Sequence, residues 1–259
     1  MKKPHLLFIC FLFISFLNAS GQTKDYIGIK GGISIPNLSA SGSDQNPINT
    51  GYSSRVGPDF AIFFEKGISK VFSIVPMFEY SSQGGKKDGL QAFVNPFGQA
   101  PPYLYANYKS EAKMNYLMLA ALAKFSWPLD SKSRYSFYAD GGPFGAFLVS
   151  AHQHTSGSSV IYGDPDMQTE VFSEQSFNGT RDIKSDLHKG NFGLEGDLGI
   201  TLNTQAGKIF LEGGFNYGFV NIQKGTENGK NQTGAATVRI GYAFPVIKKH
   251  YYKAVLKSS

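Results

Sequence analysis

Cysteine is almost absent: Cys10 is the single one in 259 residues. A disulfide framework and a cysteine-built zinc site are therefore excluded. Charge is sparse as well, with Asp, Glu, Lys and Arg together at 17% of the chain and a net charge of only +6. That balance, with aromatics at 14%, excludes a disordered acidic or basic tail protein. No cluster of Lys and Arg interleaves with aromatic residues, so nucleic acid is not an expected partner. Long apolar runs are missing after Leu17. The best, Leu117 to Ala123, is far short of the roughly 20 residues of a membrane-spanning helix.

What is present begins with an export signal. Lys2 and Lys3 precede an apolar stretch from Leu6 to Leu17, and Ala19, Ser20 and Gly21 follow it. This is the order of a secretory signal, cut after Gly21. Ile9 is too bulky for Cys10 to serve a lipoprotein signal. The expected organisation is a signal over 1–21, one barrel domain over 22–245 and a basic tail over 246–259, with Lys248, Lys249, His250 and Lys253 in the tail.

Period-two alternation fills the chain between signal and tail. The apolar faces of eight runs are Ile27, Ile29, Ile33 and Ile35; Phe60, Ile62 and Phe64; Phe72, Ile74, Phe78 and Tyr80; Leu117, Leu119, Ala121, Ala123, Phe125 and Trp127; Tyr135, Phe137, Ala139, Phe147 and Val149; Phe192, Leu194, Leu198, Ile200 and Leu202; Ile209, Leu211, Phe215, Tyr217 and Phe219; and Val238, Ile240, Tyr242 and Phe244. Most reach about ten residues, the length of a tilted strand that crosses a bilayer. The opposite faces hold much Gly and isolated charges of both signs. A soluble sheet would instead point a Lys-, Glu- and Thr-rich face at water. Small residues and paired charges fit the inside of a narrow closed barrel.

The connections alternate in length. Lys66 to Lys70, Pro128 to Arg134 and Asn203 to Gly207 are short. Pro36 to Ser54, Gln83 to Ser110, Ala151 to Lys189 and Asn221 to Thr233 are long. The pattern predicts an all-β fold: an eight-stranded antiparallel up-and-down transmembrane β-barrel with short periplasmic turns and long extracellular loops. Tyr80, Tyr116, Trp127, Tyr135, Tyr217 and Tyr242 are the expected interfacial girdles. Pro58, Pro76 and Pro143 need a bulge or strand end, because Pro cannot donate to a ladder. A soluble lipocalin-like barrel is the alternative fold, and it would put the apolar faces inside.

Particular segments carry a resemblance. "IGIKGGISIPNLS" (Ile27 to Ser39), "FEYSSQGGK" (Phe78 to Lys86), "NYLMLAALAKF" (Asn115 to Phe125), "FGLEGDLGI" (Phe192 to Ile200) and "RIGYAF" (Arg239 to Phe244) are similar to the PorT-like outer-membrane β-barrel family of Bacteroidetes. Met118 and Ala120 stand where that family commonly has an acid and a Pro, and the tail after Phe244 is a further departure. The resemblance implies an outer-membrane location and an eight-stranded barrel. One branch of that family takes part in protein secretion and gliding. Its motifs are structural rather than catalytic.

Four features carry candidate chemistry. Lys30, Glu65, Glu79, Lys124, Asp140, Glu195, Asp197, Glu212 and Arg239 lie on the inward faces, as a salt-bridged plug or as a cation-preferring path. An eight-stranded barrel is about filled by its own side chains, which favours the plug. Phe93, Phe97, Tyr103, Tyr105 and Tyr108, with Pro96, Pro101 and Pro102, make a stiff aromatic loop that either docks a partner or buries its rings on the rim. His152 and His154 form an H-x-H with Asp164, Asp166, Glu170 and His188 in the same loop. A solvated loop is the simpler reading, so no metal and no cofactor is expected. No G-x-S-x-G elbow occurs, and His152, His154 and His188 are the His residues left to serve a rim enzyme. The expected protein is a non-enzymatic barrel that anchors or assembles envelope components through its long loops. Its expected partners are outer-membrane lipid and other envelope or secretion proteins. A small pore or ligand-binding barrel and a lipid-modifying rim enzyme are the alternatives.

Overall fold

The computed structural model describes residues 24–40, 47–48, 51–98, 100–225 and 230–246. The expected signal with Cys10, and the tail beyond residue 246 with His250, lie outside the described residues. Eleven strands follow in chain order: β1 (Tyr26–Ala40), β2 (Gly57–Gly67), β3 (Phe72–Val94), β4 (Tyr103–Pro128), β5 (Tyr135–Ser156), β6 (Ser158–Tyr162), β7 (Glu170–Ser176), β8 (Gly179–Asp182), β9 (Gly190–Asn203), β10 (Lys208–Gly218) and β11 (Asn231–Pro245). Eight of them close a ring. β1 to β5 pair in sequence, β5 pairs β9, β9 pairs β10, β10 pairs β11, and β11 returns to β1 with Tyr26 opposite Pro245. Closure leaves no sheet edge to be satisfied in lipid. β6, β7 and β8 lie outside the ring, in the connection between β5 and β9.

The barrel is apolar outside and polar inside. Ile29, Leu198 and Ile240 are 57%, 58% and 61% exposed, whereas Lys30, Glu195 and Arg239 are 7%, 3% and 1%. A lipocalin-like barrel requires the reverse, so that alternative is overturned. Glycine on the inward face makes room for large rings. A Cβ at Gly241 would meet the Phe210 ring at 2.2 Å, one at Gly28 the Phe63 ring at 2.3 Å, and one at Gly199 the Tyr138 ring at 2.4 Å. Phe210 packs edge-on to Phe63 at 5.7 Å and to Tyr138 at 6.3 Å. This aromatic layer places the Phe63 and Phe210 rings in the lumen, where Met77, Met118 and Leu122 are also buried.

Several expectations are corrected. Gln83 to Ser110 is not a loop. β3 and β4 run 23 and 26 residues and stay paired as far as Val94 opposite Tyr103. Ala151 to Lys189 is largely strand too, holding the end of β5, then β6, β7 and β8. The continuous outward apolar runs end near Tyr80, Leu117, Phe147, Phe192 and Phe219, and past them exposed apolar residues such as Leu90 and Val94 are scattered, so these extensions stand beyond the lipid band on the side away from the short turns. Gly84 falls within β3, at φ +125°, and a Cβ there would lie 2.0 Å from the Ala112 carbonyl oxygen. Only glycine fits that bend.

Tyr116 is not in a girdle: it keeps the phase of Met118 and Leu122 and is buried in the lumen. Trp127 stacks between Phe125 and Phe137, at 6.3 and 6.1 Å, at the short-turn end, while Tyr217 and Phe192 flank Phe219 at the other. Pro58 sits at the far end of β2. Beside Pro76 the β2–β3 ladder lapses, and beside Pro143 the β4–β5 ladder does, as the missing N–H requires. A bulge sets Asn115 opposite Ser150 but Tyr116 opposite Leu148. The carbonyl of the extra residue, Val149, accepts a hydrogen bond from the Lys184 ammonium at 2.7 Å.

Candidate functional site

Alternation brings the nine lumen residues singled out in the sequence toward the barrel axis. Arg239 of β11 is the hub. Its guanidinium lies 2.8 Å from Glu195, 3.0 Å from Glu79, 3.1 Å from Asp197, 3.2 Å from Glu212 and 3.5 Å from Asp59. Lys30 bridges Glu212 at 2.6 Å and Asp197 at 3.4 Å. The Tyr138 hydroxyl donates to Glu212 at 2.5 Å. Asp140 faces Asp197 across the β5–β9 ladder and Lys124 across the β4–β5 ladder. Nearer the short turns, Glu65 receives Lys124 at 3.1 Å and Lys208 at 2.6 Å.

Asp59 and Lys208 were missed in the sequence. Their signal was phase: Asp59 shares the face of Ala61, Phe63 and Glu65, and Lys208 that of Phe210 and Glu212. With them the set comes to seven acids and four bases.

The interior is layered along the axis. The Glu65 pair sits beneath the Phe63, Phe210 and Tyr138 rings, and the Arg239 hub lies above those rings. Beyond the hub, the Gln83 amide donates to Ser81 at 3.1 Å and Asn216 at 3.2 Å. Arg55 then reaches across the rim to Glu111 at 2.8 Å, Ser82 at 3.0 Å and the Gln83 carbonyl at 3.1 Å. Leu38, Met114, Leu148, Ala151, Leu187 and Ile222 are buried together at the outer mouth. Among the described residues, two ionic layers, a ring layer and an apolar cap are stacked along the lumen.

The five aromatics of the expected loop do not form one patch. Strand alternation splits them. Phe93 and Tyr108 pack with Phe177, at 6.0 Å edge-on and 4.4 Å stacked, over a small buried cluster of Leu104, Ala106 and Ile161. Tyr103 and Tyr105 sit in the opposite phase, with Tyr105 paired to Tyr162 of β6. Phe97, at the hairpin tip, is exposed and rests on Phe172 of β7 at 5.6 Å. The rings build a sheet that stands outside the membrane, ordered β7–β6–β4–β3, with β8 attached to β5.

Below these rings a cleft of about 540 Å³ opens between the β3–β4 ribbon, β5 and the start of β8. Lys87 reaches into it. Its ammonium donates to the Ile48 carbonyl and lies 4.3 Å from the centre of the Tyr52 ring. Burial lowers the Lys87 pKa to about 8 and raises that of Tyr52 to about 12. Gln91 and Ser110, beside it, satisfy each other at 2.8 Å.

His152 and His154 share a face of β5, opposite in phase to Gln153 and Thr155, which line the cleft. Their rings are 6.4 Å apart, and His154 Nδ1 is 2.9 Å from the Thr180 hydroxyl. Asp164 accepts the backbone N–H groups of Gln168 and Thr169 in the β6–β7 turn, at 3.0 and 2.7 Å. Asp166 lies in that turn, Glu170 opens β7, and the His188 N–H donates to the Ile222 carbonyl at 2.8 Å. Among the described residues no group of three His, Cys, Asp or Glu side chains could hold a metal ion.

A family model described as outer membrane protein beta-barrel domain matches residues 21–224. No curated protein matches the chain. Among solved structures it is similar to Ail, the attachment invasion locus protein of Yersinia pestis, solved with the heparin analogue sucrose octasulfate. The identity is 10% and the TM-score 0.36, over 86% of this chain and 100% of that one. Neisserial surface protein A matches at 11% identity and TM-score 0.36, over 84% and 97%. OprG from Pseudomonas aeruginosa matches at 11% and 0.35, over 86% and 97%.

Proposed function

Because the chain belongs to the outer membrane protein beta-barrel domain family, we propose that it resides in the outer membrane as a non-enzymatic anchor or assembly component, working through the sheet that stands outside the lipid. One contrast carries this reading. The lumen is closed by ion pairs centred on Arg239, while β3, β4 and β5 continue well past the lipid band as an ordered platform. A protein built for passage would invest its chain in an open lumen. This one invests it in an external surface with its own small core. The similarity of several strands to the PorT-like family supports partners drawn from the envelope or from secretion machinery.

The test is capture of partners by the detergent-solubilised protein from its native envelope, with mass spectrometry. A second form has residues 85–110 replaced by a short turn. Envelope proteins held by the first form and lost by the second support the reading. Equal capture by both refutes it, as does a steady open conductance of the intact protein in planar bilayers.

A further inference from the structure

We propose that the cleft around Lys87 is a binding site for a small acidic saccharide, a sugar unit carrying a carboxylate. The inference rests on the reading that the external sheet is the working surface, and it assigns that surface a ligand class. Three observations converge on it.

The first is an incompletely answered cation. Lys87 is 8% exposed, and its ammonium has three N–H donors. One carbonyl, that of Ile48, accepts from it, and the Tyr52 ring offers a face. The other titratable or charged residues lining the cleft are Tyr52, whose ring the ammonium faces, Tyr108 and Arg181. No carboxylate is among the described residues that line the cleft. Arg181, at the edge, is already paired with Asp186 at 2.8 Å. A buried ammonium without an anion is costly, and a carboxylate from outside would supply the missing partner.

The second is size. A volume of about 540 Å³ lies within the range of small-molecule sites and suits one or two sugar units. The third is the mixed wall. Phe93 and Phe177 present ring surface for the C–H face of a pyranose, while Gln153 and Thr155 present an amide and a hydroxyl for its hydroxyl groups. A purely apolar acid would leave that polar side unanswered. A bare anion would leave the rings unused.

Binding is measured by calorimetry on the detergent-solubilised full chain. The probes are a disaccharide containing glucuronic acid, its neutral glucose counterpart, acetate and inorganic phosphate. The acidic disaccharide should bind at least about tenfold more tightly than any other probe, the discrimination of one charge-assisted hydrogen bond. Lys87→Gln should remove that advantage. In the unchanged protein the affinity should fall as pH rises past about 8, where the Lys87 amine of the empty cleft loses its proton. This second measurement stands if the variant fails to fold. Equal binding of the neutral disaccharide overturns the proposal, as do equal binding of acetate or phosphate, and no binding at all. Capture of envelope proteins is run on the same preparations. Capture without sugar binding overturns the cleft alone, and loss of both overturns the working-surface reading with it.

Discussion

Replacing Arg239 with methionine separates an ion-paired plug from a mere accumulation of inward charges. Methionine keeps much of the length and volume, so packing changes little. Electrostatics change greatly. Five carboxylates lie within 3.5 Å of the guanidinium, and in the variant the one cation among the described residues still paired with them is Lys30, which reaches two of them. Removing one partner of a buried pair costs about 3–5 kcal/mol, because the other charge stays buried. A hub shared by five acids belongs at the upper end, about 5 kcal/mol. The single tryptophan makes the assay direct. Trp127 is 46% exposed on the lipid surface at the short-turn end, so its emission reports loss of the barrel as urea strips the protein from lipid vesicles. Arg239→Met should unfold at markedly lower urea than the parent. Adding Glu79→Gln and Glu195→Gln should recover part of the loss, since residues in one network are not additive. A loss below about 1 kcal/mol, the range of exposed ion pairs, would refute the reasoning, as would absence of recovery.

Three other outcomes follow. Gly241→Val puts a branched side chain into the Phe210 ring and should destabilise by about 1–3 kcal/mol, with Phe210→Ala in the same chain recovering only part of the loss, because the Ile29 carbonyl oxygen stays 2.7 Å from the added Cβ; the urea assay reads both. Phe177→Ala removes the ring between Tyr108 and Phe93 and should open the β3–β4 extension to protease while the lipid-embedded ring stays intact, visible as cleavage confined to residues outside the lipid band. Lys87 titrates near 8 when folded against 10.5 ordinarily, so the unfolded chain binds more protons between those values and stability rises with pH across that window. Lys87→Met should therefore protect the extension from hydrogen exchange at pH 7, and its advantage should shrink by pH 10; an unchanged advantage would show that burial of charge is not the cause.

The ring of staves was legible because lipid imposes a rule on every second residue, and Ile27–Ile35 or Phe192–Leu202 obey it. Phase also revealed most of the hub, since Lys30, Glu195 and Arg239 sit mid-run. Phase is least telling at run ends: Asp59 and Lys208 share the inward phase there, and Tyr116, expected in a girdle, falls in the inward phase of Met118. The extensions of β3 and β4 were illegible for a different reason. Beyond the lipid band no rule applies to either face, so Leu104 and Ala106 alternate with Tyr103 and Tyr105 and no period stands out. Glycines at 84, 85 and 89 read as a loop, although Gly84 is a bend within a strand. The cleft draws on β3, β5, β8 and the segments at Ile48 and Tyr52, and no local pattern spans such distances.

The seam between the first and last staves has a consequence for biogenesis. β1 and β11 each contribute 15 residues to it, and their partners are as far apart in the chain as Tyr26 and Pro245. Until the final strand pairs with it, β1 keeps a raw border, open to pairing with any other extended polypeptide. That border closes only when Asn231 to Pro245 docks along it, so a polypeptide truncated before Asn231 would keep it open.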